Sequence, residues 1–388
     1  MFKVLTLNSV SEKINNILTY EKYTVSKDEG NPDAIIVRSH VMHDMQFKKN
    51  LLCIARAGAG YNTIPVERCA DEGIVVFNTP GANANAVKEM LIGTLIMASR
   101  NIYESIVWTN ALKGNGDSVP SMAEKGKSKF VGSEIQGKTL GILGLGATGA
   151  LVAEAALALG VNVIGMDPHL NLAAAWKLPN DIKSVSEDEL IRTSDFISIH
   201  APLTDETIDK FNEDFISKTK PGVILINFSR AAIGNANDIK NAIQSGHLQK
   251  YVVDFPTDEL LDVPGVVVTP HLASGTYEAE ENCAVMAANQ IKDFLENGNI
   301  RNSVNLPDCD LGVCRRASRI TIIHKNIPNL ISQFTNIISG ANINISDMIN
   351  KSNDTFAYTM IDLDYIVDSN IINAISAIPD VIKVRLIK

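Results

Sequence analysis

The chain of 388 residues carries 35 Lys and Arg against 44 Asp and Glu, a formal charge of −9, with 45% hydrophobic and 20% charged residues. That is the composition of a globular protein long enough for two or three domains with real cores, which excludes a disordered chain or a disulfide scaffold. The acidic balance sets up no field to draw in nucleic acid or anionic lipid, so neither partner is expected, and any anion must be gripped by a few local Arg or Lys side chains.

The longest apolar stretch, around Met90 to Ala98, is well short of the ~20 residues needed to span a bilayer. The start MFKVLTLNSV has no charged opening followed by an apolar core, so a cytoplasmic location is expected. Cys53, Cys69, Cys283, Cys309 and Cys314 form no CxxC pair, which fits reduced thiols. Cys309 and Cys314 have no nearby His partner, and no metal site is expected.

In chain order, VLTL at Val4, AIIVRS at Ala34, LLCIARAG at Leu51 and IVVFNT at Ile74 alternate with helix-like stretches, the rhythm of a parallel α/β sheet. Helical spacing of Ala, Leu, Ile and Met predicts one long helix from about Asn83 to Leu112, ended by the Gly, Ser and Lys-rich segment Gly114 to Gly137. A second series begins at Lys138 with TLGILGLG, NVIGMD, DFISIH, VILINFS, YVVDF and VVVTP. Several of these are apolar on both faces and want helices on both sides, as in a doubly wound, Rossmann-like sheet. Thr276 to Glu296 reads as a helix and Pro307 to Ser318 as a linker. From Arg319 the order is strand, helix, strand, strand, helix, strand, the ferredoxin-like βαββαβ.

The strongest local motif is Gly144-Leu-Gly146-Ala147-Thr148-Gly149, directly after the strand TLGIL and opening an Ala-rich helix. Gly144 allows the tight turn, Gly146 the approach of a pyrophosphate, and Gly149 the packing of helix on strand, while the helix N-terminus favours the negative charge. Asp167 ends the next strand about 20 residues on, where a carboxylate accepts both ribose hydroxyls and repels a 2′-phosphate, predicting NAD rather than NADP. Three further positions follow strand ends of the same series: Arg230, the acid pair Asp258/Glu259, and His271. Arg230 can fork onto a substrate carboxylate, His271 can move a proton near neutral pH, and an acid between them can hold the imidazole in one tautomer. His40 and His43 read as solvated loop residues, His169 as a turn residue and His247 as a helix-end residue.

Together, GLGATG, NFSRA, DFPTDE and TPHLASGT resemble the D-isomer-specific 2-hydroxyacid dehydrogenases, over nearly the whole chain to about Val304. The resemblance implies a discontinuous, flavodoxin-like substrate domain (1–85 and 275–306), an NAD-binding domain (86–274), a linker (307–318) and a C-terminal ACT regulatory domain (319–388). It implies Arg230, Asp258 and His271 as the catalytic trio, Asp258 falling in the family's acid slot when Phe255-Pro256-Thr257 is aligned and Glu259 lying one position on. His200, Ala201, Pro202 (in HAPLT) and Asp254 would join the glycine loop and Asp167 around NAD. RSH at Arg38, RAGAGYNTIP at Arg56 and NTPGANANAVKE at Asn78 match members that oxidise 3-phospho-D-glycerate at the entry to L-serine synthesis. Arg38, Ser39, Arg56, Asn83 and Lys88 would then hold the substrate phosphate. His324, Asn326 and Asn342 would hold L-serine as an inhibiting effector, in a homodimer or homotetramer. Ala231 and Ala273 stand where the family usually has Gly, and Asn329 stands where the ACT motif usually has Gly. Another D-2-hydroxyacid dehydrogenase, a hydroxypyruvate or glyoxylate reductase, is the near alternative, and a non-catalytic NAD-binding sensor is the distant one.

Overall fold

The computed structural model describes residues 1–170, 172–176 and 178–387. Two compact units emerge, one made of Met1–Asn83 with Tyr277–Lys388, the other of Ala84–Thr276.

The first unit opens with β1 (Phe2–Leu7), β2 (Tyr23–Ser26), β3 (Ala34–Val37), β4 (Cys53–Arg56), helix α1 (Val66–Asp71) and β5 (Val75–Phe77). The strands form a parallel sheet of order β2-β1-β3-β4-β5, the flavodoxin-like arrangement expected from the sequence. β3, AIIV, is buried at every position, as a strand covered on both faces must be. Strand order reverses between β1 and β3, and there Asn8, in the left-handed region at φ 68, uses its Oδ1 to accept from the backbone N–H groups of Ser39 (3.0 Å) and His40 (2.7 Å).

The second unit contains α2 (Ala84–Ser99), α3 (Ile102–Asn110), α4 (Val119–Gly126), β6 (Thr139–Leu143), α5 (Ala147–Ala158), β7 (Asn162–Met166), α6 (Leu172–Ala175), β8 (Lys183–Ser184), α7 (Glu187–Thr193), β9 (Phe196–Ile199), α8 (Glu213–Ser217), β10 (Val223–Asn227), α9 (Ala236–Gln244), β11 (Leu248–Val253) and β12 (Val266–Val268). Its sheet is parallel, in the order β12-β11-β10-β9-β6-β7-β8, which is the doubly wound Rossmann order with its reversal between β6 and β9. The predicted helix over 83–112 is two helices. Asn101 turns to φ 50 between them, and the Ser99 carbonyl accepts from the N–H of Ser133. Gly132 lies so close to that helix end that a Cβ would come 2.1 Å from the Ser99 oxygen. The segment taken as a break also holds a helix of its own, α4, which starts with Pro in its first turn, where the missing N–H costs nothing.

The chain then returns to the first unit through α10 (Tyr277–Asn297) and ends in β13 (Ser318–Lys325), α11 (Leu330–Gly340), β14 (Ile345–Ser352), β15 (Phe356–Leu363), α12 (Ser369–Ser376) and β16 (Val381–Ile387). These last strands form an antiparallel sheet of order β14-β15-β13-β16. Alternation sorts its side chains onto two faces. Ile320, Ile322, Ile361 and Leu363 pack under Phe334 and Ile338 of α11 and Ile371 and Ile375 of α12. Ile323, Phe356, Tyr358 and Met360 face the other way and share one core with Phe77, Ile291 and Phe294.

Polar groups of the tail finish the C-terminus of α10, whose last carbonyls have no partners inside the helix. Arg319, fully buried, binds Asp362 through Nε and Nη2 and donates from Nη1 to the carbonyls of Asn297 (2.8 Å) and Gly312 (2.7 Å). Arg385 lies over the Phe294 ring and donates to the carbonyls of Phe294 and Leu295, and the Tyr358 hydroxyl donates to Gly298. The tail is thus built into the first unit through a continuous core and a set of helix-capping bonds.

Candidate active site

In the second unit the loops after β6, β7, β9, β10 and β12 share the C-terminal edge of one parallel sheet, where open α/β sheets bind their ligands. Gly144 sits at φ 94, and a Cβ there would press within about 3.0 Å of the His200 backbone. Gly149 is packed tighter still, with the Gly144 oxygen 2.0 Å from where its Cβ would be. Gly146 has no atom within 4 Å of that position, which leaves room for a ligand at the start of α5. Ala147 and Thr148 form the first turn of that helix beside this open ground. Asp167 closes the loop from the β7 side, its Oδ2 accepting from Leu145 N–H (2.8 Å) and its Oδ1 from His169 N–H (2.9 Å). The carboxylate is thereby aimed by backbone and stays half-buried.

His200 directly follows β9, and its Nε2 pairs with Ser198 Oγ at 2.8 Å. Burial pushes the imidazole down to about 4, so the ring is neutral at ordinary pH. Ala201 and Pro202 continue from it at the same edge.

Asp254, which directly follows β11, is fully buried. Its Oδ1 accepts from Thr269 Oγ1 (2.5 Å) and Leu272 N–H (2.7 Å), its Oδ2 from Ala273 N–H (2.7 Å), and its carbonyl from His271 N–H (2.9 Å). The carboxylate thus grips the His271 loop, and His271 itself sits at φ 56, a strained region for a residue with a Cβ. Its exposed ring tilts over Phe255 with centroids 4.9 Å apart. Arg230 is exposed after β10. Asn227 steadies its backbone by donating to the Arg230 carbonyl (2.8 Å), and Arg230 Nη1 donates to Ser229 O (2.6 Å). Asp258 and Glu259 stand in a short exposed turn. Among the described residues neither bonds to the His271 ring, and Glu259 is held below the usual carboxylate range by its own N–H, the Thr257 hydroxyl and Lys240.

In the first unit Arg38 and Ser39 follow β3 and Arg56 ends β4, so these lie on neighbouring strands at the C-terminal edge. The Arg56 guanidinium folds over Gly58, where a Cβ would meet Nη1 at 1.2 Å, and that glycine takes φ 143. Arg38 Nη2 pairs with Glu280 in the first turn of α10. Nothing in the sequence singles out Glu280, an acidic residue in a plain helix 242 positions away from its partner. Asn83, half-buried, closes this stretch, whereas Lys88 belongs to α2 in the second unit, beside Glu89 at 3.7 Å.

In the tail, His324 is buried, with Nδ1 bonded to the Lys325 carbonyl (2.8 Å), Nε2 to Thr359 Oγ1 (2.9 Å) and the ring edge-on to Phe334. A ring so enclosed is internal structure, and the exposed polar groups are Asn326, which donates to Asn353 O, and Asn342 at φ 59. Asn329 takes φ 73 at the start of α11, which explains how Asn can stand where Gly is usual.

Residues 92–273 match the family model "D-isomer specific 2-hydroxyacid dehydrogenase, NAD binding domain". A D-3-phosphoglycerate dehydrogenase from Dictyostelium discoideum is 30% identical over 352 residues, 87% of this chain and 82% of that protein. The chain belongs to the D-isomer-specific 2-hydroxyacid dehydrogenase family. Another D-3-phosphoglycerate dehydrogenase of that family, from Archaeoglobus fulgidus, is 34% identical over 72% of this chain, which spans only about half (52%) of that relative's length. Among solved structures, an NAD+-bound 3-phosphoglycerate dehydrogenase from Entamoeba histolytica superposes with a TM-score of 0.61 at 27% identity, covering 78% of this chain and 98% of that one.

Proposed function

We propose that this chain catalyses the NAD-dependent oxidation of 3-phospho-D-glycerate to 3-phosphohydroxypyruvate. The observation that carries the reading is the sheet edge of the second unit, where an open glycine loop, a backbone-aimed Asp167, Arg230 and His271 follow strands of one sheet. The names of the relatives support the substrate.

The open approach at Gly146, the N-terminus of α5 and the ribose-facing carboxylate of Asp167 fit NAD, with Ala147, Thr148, His200, Ala201 and Pro202 around it. The chemistry NAD supplies when bound is acceptance of a hydride from C2. His271 takes the C2 hydroxyl proton as the C2–H bond breaks, and Arg230 holds the carboxylate and polarises the forming carbonyl. Asp258 orients the protonated imidazole, with Glu259 as its competitor for that role. Asp254 keeps the His271 backbone in its strained turn. Arg38, Ser39, Arg56 and Asn83, all of the first unit, hold the phosphate, and Lys88, which belongs to the second unit, is left out of that set.

The tail is read as an ACT domain whose effector, L-serine, is held by Asn326 and Asn342, with His324 supporting the loop from within. Helix α3 has no buried residue and exposes Ile102, Tyr103, Ile106 and Val107, which suits contact between subunits of a homodimer or homotetramer. No helix among the described residues is long and apolar enough to cross a membrane.

The test is NADH formation followed by absorbance. NAD with 3-phosphoglycerate is expected to give turnover, and NADP far less. Turnover only with unphosphorylated 2-hydroxy acids would replace this reading with a hydroxypyruvate or glyoxylate reductase, and no turnover with any acid would point to an NAD sensor.

A further inference from the structure

The anion-binding edge of the first unit already holds a carboxylate. Glu280 projects from the first turn of α10 and pairs with Arg38, both side chains about 40% exposed (40% and 39%). The pair therefore sits at the surface of the site and not in its core, and water and mobile ions weaken it. One helical turn on, burial pushes the Cys283 thiol up and the charges of Arg56, Arg38 and Glu280 act on it, while the pairing of Val37 with Arg56 brings Arg38 and Arg56 to the same sheet edge. With Glu280 already on Arg38, this edge offers less positive charge than a phosphate dianion can use. A phosphate on Arg38 would also lie beside Glu280, and like charges at that separation repel.

We propose that Glu280 is a built-in competitor for the substrate phosphate: its carboxylate holds Arg38 until the phosphate displaces it, and it thereby sets the preference between phosphorylated and unphosphorylated 2-hydroxy acids. This rests on the reading of Arg38 and Arg56 as the phosphate holders. An unphosphorylated acid brings no second anion to this edge and displaces nothing, so Glu280 acts on one substrate class alone. The neighbouring Glu281 supplies the control, since it pairs with Lys13 instead.

The experiment compares the native protein with Glu280→Gln, which keeps the shape and removes the charge, and with Glu281→Gln. Glu280→Gln is expected to lower KM for 3-phosphoglycerate about two- to fivefold, the usual worth of a partly exposed ion pair, and to leave KM for D-glycerate unchanged. Thermal stabilisation by inorganic phosphate, which needs no turnover, should rise in the same variant. Glu281→Gln should change neither. An unchanged KM ratio together with unchanged phosphate stabilisation would overturn the proposal, and a rise in KM for 3-phosphoglycerate would make Glu280 a support for Arg38 and overturn it equally. If the native protein does not turn over 3-phosphoglycerate, the proposed function fails, while the phosphate stabilisation still decides the role of Glu280.

Discussion

The chain contains two parallel sheets, each with a crevice where strand order reverses, and they furnish those crevices in opposite ways. In the sheet of the second unit the loop at the reversal is bare: Gly146 leaves its space open, and the carboxylate of Asp167 is fixed by backbone N–H groups. In the sheet of the first unit the reversal is filled by side chains, with Asn8 closing onto Ser39 and His40 and Glu280 lying on Arg38. On the function proposed above, the same topology offers one site read by backbone and helix dipole, suited to a dinucleotide, and another read by guanidinium groups, suited to a compact anion.

The comparison breaks first at the chemistry, which depends on the second unit. His271→Ala should lower kcat by roughly 10²–10⁴, the worth of a positioned general acid–base, with little change in NAD affinity by titration. A change of less than tenfold would remove His271 from the proton path. The next largest effect concerns the tail. Arg319→Ala leaves Asp362 buried without its partner and strips bonds from the Asn297 and Gly312 carbonyls, so denaturant unfolding should show a loss of about 3–5 kcal/mol. For the same reason removal of residues 319–388 should destabilise the first unit, not merely abolish regulation, because Ile323, Phe356, Tyr358 and Met360 leave its core.

The glycines sharpen the contrast within one loop. Gly149→Ala drives a Cβ toward the Gly144 oxygen and should cost about 1–3 kcal/mol of stability. Gly146→Val meets no protein atom at its Cβ, so Tm should hold while NAD affinity falls roughly tenfold or more, about 1.4 kcal/mol. Loss of stability in both would mean that Gly146 is only a turn.

Much of the second unit is legible in the sequence because its signals are local: the glycines, the strand before them and Asp167 all fall within one βαβ unit, and each glycine meets the surroundings its role requires. The first unit's site is harder to read because Arg38 and Glu280 are 242 residues apart and no spacing rule links them. The long helix over 83–112 misleads because its break uses Asn101, a residue that tolerates left-handed backbone without announcing it as Gly would. β2 and β8 are missed because YTVS and KS are too short to carry a pattern of their own. The order of elements in the tail is legible from alternation, whereas its fusion to the first unit depends on Arg319 and Arg385, which look like surface residues in the sequence.

A separate effect is expected on pH dependence. The folded His200 imidazole titrates at about 4, below its unfolded value, so the unfolded chain binds the extra proton between roughly pH 4 and 6.5 and stability rises with pH through that window. His200→Gln should flatten this part of the stability profile in denaturant melts at pH 4.5 and 7, and an unchanged slope would place the titration elsewhere.

The central claim is that the two crevices divide the work, and Arg38→Ala tests it most directly in steady-state kinetics. A charge-assisted bond to phosphate is worth about 1.5–3 kcal/mol, so KM for 3-phosphoglycerate should rise about ten- to a hundredfold, while KM for NAD and for D-glycerate stays unchanged. An equal rise for the phosphorylated and unphosphorylated acids, or a parallel rise in KM for NAD, would contradict the account.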